Sequence, residues 1–252
     1  MIIKERLNGI KFNIYINREC IIILELQGYL VNLELKIVVS GASQCGKSTY
    51  IKKLDENSLN VQVHGRTVAM DIAYVKIDAF NISLFGTPGL LRFNVMRNII
   101  ANGADGIIFM FDASNPESDK DTLSIMNDLR KSKDPILYLA NKQDIKGART
   151  PEEVRDQNNL PKDIIIYPAS AKTGLNVKKS LTFLVNEVYK RYEKLLLILR
   201  NYENNIRGLA EKLKKNKAQM RDFLFGLEVR KFIDIDRMNK TYKVRLGLNK
   251  II

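Results

Sequence analysis

Leu35-Lys36-Ile37-Val38-Val39-Ser40-Gly41-Ala42-Ser43-Gln44-Cys45-Gly46-Lys47-Ser48-Thr49 decides the fold of this 252-residue chain. Its first half is an apolar run of strand length that ends in a glycine turn, and its end opens a helix-like stretch over 46–57. The segment between them fits G-x-x-x-x-G-K-[ST], the pattern of a strand, a glycine-rich loop and a helix N-terminus. Glycine lets such a backbone curl until its N–H groups point inward, and amides gathered at a helix N-terminus attract phosphate oxygens. Lys47 supplies a point charge for the terminal phosphates, and the Ser48 hydroxyl supplies a ligand for Mg²⁺. The candidate phosphate contacts are therefore Gly41, Ser43, Gln44, Cys45, Gly46, Lys47, Ser48 and Thr49. Cys45 is read as a small packing residue rather than a redox sensor. The pattern implies a nucleoside triphosphate without separating adenine from guanine.

Working outward, strand-like stretches fall at 67–77 and 80–86, and a helix at 91–102. A continuous apolar run, Gly106–Asp112, fits a strand buried on both faces. A helix at 118–132, strands at 136–141 and 164–168, and a helix from Val177 complete the series. Strands alternating with helices predict an α/β fold over 34–187, a mostly parallel sheet flanked by helices. Ligands bind at the carboxyl ends of such strands. Asn141-Lys142-Gln143-Asp144 closes the strand at 136–141. A carboxylate such as Asp144 accepts two hydrogen bonds from the guanine N1–H and exocyclic amine, a pair that adenine cannot donate. Ser170-Ala171-Lys172, after the strand at 164–168, supplies backbone and packing around the base. Asn141, Lys142, Asp144, Ser170, Ala171 and Lys172 are the base-side candidates.

In this order and spacing the motifs resemble those of the Ras-like small GTPase family of P-loop GTPases, in a prokaryotic form with the run Gly86-Thr87-Pro88-Gly89. The resemblance implies GTP and GDP as ligands with Mg²⁺, and GTP hydrolysis as the activity. It implies that Thr67 is the switch I threonine reaching Mg²⁺ and the γ-phosphate, and that Gly89 is the switch II glycine whose N–H reads that phosphate. Lys47, Thr67 and Gly89 are then the catalytic set, and Ser48 and Thr67 the metal ligands. Both switch loops would be ordered by triphosphate and released on hydrolysis. Two departures from the family matter most, and Ser43 is a third. Gly86 stands where an aspartate usually holds Mg²⁺ through water, so weaker metal affinity is expected; Asp112 and Asp71 could support the ion from a distance, but are read first as a strand-end and a strand-start residue. Leu90 stands where the family places the glutamine that orients the attacking water. Leucine has no hydrogen-bonding group, so hydrolysis is expected to be slow, or to depend on a partner such as a GTPase-activating protein. Ser43 replaces a glycine and crowds an incoming arginine finger. His64, the one histidine, has no metal-binding companions in sequence.

Charge is unevenly spread. From Tyr189 onward 17 lysines and arginines face 7 acidic residues, so +10 of the formal +13 lies there. That asymmetry suits a separate unit facing an acidic partner: DNA, an acidic protein or an anionic membrane surface. Helical patterns at 206–213 and 217–230, the second with Met220, Phe223, Leu224 and Leu227 on one face, precede strands at 232–235 and 241–246. This order resembles a winged helix-turn-helix domain over 188–252, a fold that serves both nucleic acid and protein partners. In 1–33, Ile10, Phe12, Ile14 and Ile16 alternate as in a strand that 20–26 could pair. The segment is expected to form an edge hairpin or to pack against the C-terminal unit, with no assigned role. No apolar run reaches the ~18–20 residues of a transmembrane helix, and no signal-peptide or lipidation motif is visible. Two cysteines without a secretory signal are expected to stay reduced in the cytoplasm. The expected function is a GTP-dependent switch coupled to a DNA- or protein-binding winged helix. The alternative is a non-switching binding module that holds guanine nucleotide as a structural ligand.

Overall fold

The computed structural model describes residues 33–63, 66–78, 80–129 and 134–245, with backbone alone at 60–63 and 66–69. It also describes the backbone of three N-terminal strands, β1 (Ile2–Leu7), β2 (Ile10–Tyr15) and β3 (Ile23–Gln27). His64 lies outside the described residues. The chain divides into two compact units, Glu34–Leu195 and a second made of Met1–Leu33 with Leu196–Ile252.

In the first unit β4 (Leu33–Gly41) leads through the glycine-rich loop into α1 (Lys47–Leu54). Then come β5 (Leu59–Val63), β6 (Arg66–Ile77), β7 (Phe80–Gly86), α2 (Asn94–Ala101), β8 (Gly106–Asp112) and α3 (Asp119–Leu129). β9 (Ile136–Asn141), α4 (Pro151–Gln157), β10 (Ile166–Pro168) and α5 (Val177–Arg200) complete it, α5 running on past Leu195. The strands form one seven-stranded sheet in the order β10-β9-β8-β4-β7-β6-β5. Pairing from β10 through β4 is parallel, and β7, β6 and β5 pair antiparallel. Every residue of β8 is buried, as its unbroken apolar run requires, whereas β7 alternates buried and half-buried positions. Phe109, Phe111, Ile125, Leu129, Tyr138 and Ile166 form the heart of the core. At Gly106, the start of β8, a Cβ would lie 3.0 Å from Val188 Cγ2 and 3.1 Å from Ile37 Cδ1, tighter than ordinary packing.

The pattern at 91–102 resolves into a short 3₁₀ turn, Leu91–Phe93, followed by α2. Two elements escape the apolar periodicity. β5 is a short edge strand, and α4 is a two-turn helix with one buried residue, Val154.

In the second unit β1, β2 and β3 pair antiparallel in a sheet of their own, so the segment is no edge hairpin on the large sheet. α6 (Ile206–Lys212) and α7 (Lys217–Val229) precede an antiparallel hairpin of β11 (Ile233–Asp236) and β12 (Thr241–Val244). Asn216 caps α7 reciprocally with Gln219, satisfying two N-terminal amides. Met220, Leu224 and Leu227 are buried along the face that the spacing predicts, with Phe223 half-buried beside them. Tyr242 is buried and donates its hydroxyl to Leu199 O at 2.6 Å. Among the described residues no helix is long and apolar enough to cross a membrane.

Candidate functional site

The loop between β4 and α1 takes the conformation that its glycines permit. Gly41 has φ 143°, and a Cβ on it would lie 2.4 Å from Met110 O. Gly46 has φ 104°, and a Cβ there would lie 2.3 Å from Asn141 Nδ2. Neither position admits a larger residue without moving backbone. Cys45 is fully buried beneath the loop, and burial pushes its thiol up, away from the reactive thiolate, against the weaker opposing pull of Lys47. It is a packing residue. Ser43, Gln44, Ser48 and Thr49 are exposed on the loop and the first turn of α1. The Lys47 ammonium folds over the loop onto the carbonyls of Gly41 (3.0 Å) and Ala42 (2.6 Å).

Asn141, at the end of β9, joins this loop to the base-side motifs. Its buried amide donates to Cys45 O at 2.8 Å and accepts from Ala171 N at 2.9 Å. Asp144 accepts from Ser170 Oγ at 2.7 Å, and that bond holds its carboxyl below the usual range. Lys142 (φ 70°) reaches back to Asp112 at 2.6 Å. Asp112 also accepts from the Ser114 hydroxyl at 2.6 Å, so it serves the base-side loop. Arg149, buried under this loop, binds both oxygens of Asp119 (2.6 and 3.0 Å) and the carbonyls of Asp112 and Ala113. No sequence motif marks Arg149. Lys172 follows Ala171 and is exposed.

The switch positions divide. Thr67 lies in β6, and its side chain is outside the described part of the structure. Gly89 packs on the phosphate loop so closely that a Cβ would lie 2.5 Å from Ser43 N and 2.6 Å from Ser43 Cα. Before it, Thr87 is tied to β4 through Val39 O and the Ser40 hydroxyl. Leu90 is exposed.

Asp71 sits one step beyond the Ile72–Phe85 pair of the β6–β7 ladder, opposite Gly86. Its carboxylate accepts from Ser48 Oγ at 2.7 Å and is buried. A Cβ on Gly86 would lie 2.9 Å from Asp71 Oδ2 and 2.9 Å from Ile51 Cδ1, so a side chain at 86 would push this carboxylate from its present place. The bare glycine leaves room for a carboxylate arriving from the next strand. Among the described residues no group of three or more His, Cys, Asp or Glu side chains gathers to hold a metal.

The sheet, the glycine loop at the end of β4 and the motifs at the ends of β9 and β10 define a P-loop nucleotide-binding protein. The family model of the Ras family matches residues 36–190, well over half of the chain. This protein belongs to the Ras family of small GTPases and, as a member, is a GTP-binding protein. It is 34% identical to the uncharacterized protein MJ1339 of Methanocaldococcus jannaschii, over 57% of this chain and 91% of that one. It is 26% identical to the human Ras-related protein Rab-7b, over 75% of this chain and 95% of the relative. Among solved structures, the Arl6 BBS3 small GTPase of Trypanosoma brucei, with a bound nucleotide analogue, superposes with a TM-score of 0.52 at 20% identity. That match covers 62% of this chain and 98% of the other, and it speaks for the fold.

Proposed function

We propose that this protein is a guanine-nucleotide switch with slow or partner-dependent GTP hydrolysis, in which Asp144 selects the base and Asp71 completes the metal site. One observation carries the reading. The Asn141 amide binds the phosphate loop at Cys45 and the base-side loop at Ala171, so one side chain sets the span between phosphates and purine. Asp144 stands exposed beside Ser170, ready to accept from guanine. The adenine edge would leave that carboxylate without donors. Wild-type chain is expected to prefer GDP over ADP by on the order of 10⁴. Asp144→Asn should weaken GDP by about a hundredfold or more, since two bonds to a charged acceptor are lost. Fluorescent-nucleotide titration measures both, and equal uptake of ADP and GDP by wild type would sink the assignment.

Ser48 and Asp71 are hard oxygen donors, held side by side at the start of α1, and suit Mg²⁺. When bound, the ion would neutralise charge on the terminal phosphates. Ser48 and Asp71 would hold it, with Thr67 as the further ligand that the family resemblance implies. Lys47 and the loop amides orient the phosphates, and Gly89 N–H faces the terminal one. Asp71→Asn keeps the hydrogen bond to Ser48 and removes the charge. It should raise the Mg²⁺ concentration for half-maximal nucleotide retention by roughly tenfold. A chelator titration that reads nucleotide release checks this, and an unchanged midpoint would return Asp71 to a structural role.

Leu90 offers the attacking water no side-chain group to orient it. Single-turnover hydrolysis by the isolated chain should fall below the roughly 10⁻⁴ s⁻¹ of glutamine-bearing relatives. Reaching or exceeding that rate unaided would show that another group orients the water.

The helix–helix–hairpin segment is read as a winged helix that docks a protein. Two pairings support protein over DNA. Arg237, at the hairpin turn, is bound through both terminal nitrogens by Glu228 of α7 (3.0 and 2.7 Å), and Arg245 is bound by Asp234 (2.6 Å). Beside them Phe225 (56% exposed), Val229 (55%) and Met238 (93%) are open to solvent, an apolar surface that suits a protein partner better than a phosphate backbone. The full-length chain is expected not to retard random-sequence duplex DNA at about 50 mM salt, where phosphate-neutralising proteins bind far more tightly than at physiological salt. Retardation that fades steeply with added salt would assign the unit to nucleic acid instead.

A further inference from the structure

Arg97 is among the largest fully buried side chains of the described structure, and the nucleotide site makes no direct use of it. It sits in α2, eight residues after Gly89. Its Nη1 donates to Leu90 O at 2.6 Å and to Pro88 O at 3.4 Å; its Nη2 donates to Leu91 O at 3.1 Å. The same Nη2 lies 3.4 Å from Asp128 of α3, a carboxylate 39% exposed, and Arg97 Nε is buried with no partner. Three carbonyls of the loop, one before Gly89 and two after it, therefore converge on one guanidinium.

The ion pair alone does not account for this arrangement. A long contact to a partly solvated carboxylate, with a nitrogen left unpaired, offsets little of the cost of burying a guanidinium, so the compensating bonds are those to the loop carbonyls. What the geometry supplies is position. A planar fork of donors fixes several acceptors at once, which a lysine ammonium on a flexible stem cannot do. The acceptors here are the backbone on both sides of the glycine that packs against Ser43 of the phosphate loop.

We infer that Arg97 is a positioning residue that stabilises the form of the Pro88–Leu91 loop in which Gly89 lies against the phosphate loop, where a terminal phosphate would meet its N–H. The inference rests on the reading of Gly89 as the γ-phosphate contact. Without these bonds the loop must be ordered at greater cost, and only the triphosphate, which reaches it, bears that loss. GDP ends short of Gly89 and is indifferent to it.

The test measures dissociation constants of GDP and of a non-hydrolysable GTP analogue for the full-length wild type, Arg97→Lys, Arg97→Met and Asp128→Asn, with thermal unfolding alongside. Both Arg97 variants should raise the ratio of analogue to GDP dissociation constant about tenfold over wild type, with GDP affinity within about twofold; Asp128→Asn should move it the same way by less. Asp128 is partly solvated, so its variant keeps the test open should the Arg97 variants fail to fold. A merely structural arginine would lower the melting temperature and weaken both nucleotides alike, leaving the ratio unchanged. That outcome, or an unchanged ratio in stable variants, overturns the inference alone. A wild-type chain that binds neither guanine nucleotide overturns the function proposed above, and this inference with it.

Discussion

The buried amide of Asn141 is the constraint on which the site hangs. It must donate to Cys45 O and accept from Ala171 N at once, and no other uncharged side chain of that length does both. Three loops from the ends of β4, β9 and β10 then have their spacing fixed by one rigid planar group. Gly46 lacks a side chain because that group occupies the space where a Cβ would go. The hydrogen bond and the glycine are two descriptions of a single packing event. The sheet brings the loop ends into range, and the amide fixes where they stop.

The β6–β7 ladder carries a second constraint of the same kind. A carboxylate beside Ser48 could be delivered from the end of β7 or from the neighbouring strand, and a side chain at 86 would crowd the one that is there. With Gly86 on β7, Asp71 enters from β6. A substitution that looks like the loss of a ligand in one strand is, in three dimensions, room made for a residue on another. The proposed metal site thus differs from the family pattern in which strand supplies the charge, while the chemistry of its donors is the same.

Much of the fold is legible in the chain. The unbroken apolar run of β8 and the face of α7 announce themselves by period alone, and the phosphate and base motifs fall at strand ends where the sheet gathers them. What stays hidden is of two sorts. Short elements carry too few residues to show a period. α4 nevertheless has a signal in Thr150, Pro151 and Glu153, which form a reciprocal capping box at its start. Cross-strand neighbours are the other sort. Asp71 and Gly86 are 15 positions apart, and no motif spacing joins them. Yet the strands at 67–77 and 80–86 leave only a two-residue connection, which fixes their register and sets 71 opposite 86. Turn length, more than composition, is the sign that points to Asp71. Arg97 and Arg149 have no such sign. Each is one arginine in a helix or loop until packing shows which carbonyls surround it.

Charge shows the same gap between chain and structure. The surplus of lysine and arginine after Tyr189 is a sum over a segment, and a sum does not say where a field points. At the hairpin both arginines are paired locally: Arg237 is closed by Glu228 and Arg245 by Asp234, and the first pairing holds the Glu228 carboxyl below its usual range. A phosphate approaching this face would have to compete with carboxylates already seated on those guanidinium groups, and would meet the exposed ring of Phe225 beside them. A protein surface offering apolar groups meets no such competition. Net charge governs how a partner is drawn in over long range, whereas the pairing at the surface governs what can stay. At this hairpin the two differ, and the preference proposed for a protein partner rests on the short-range pairing.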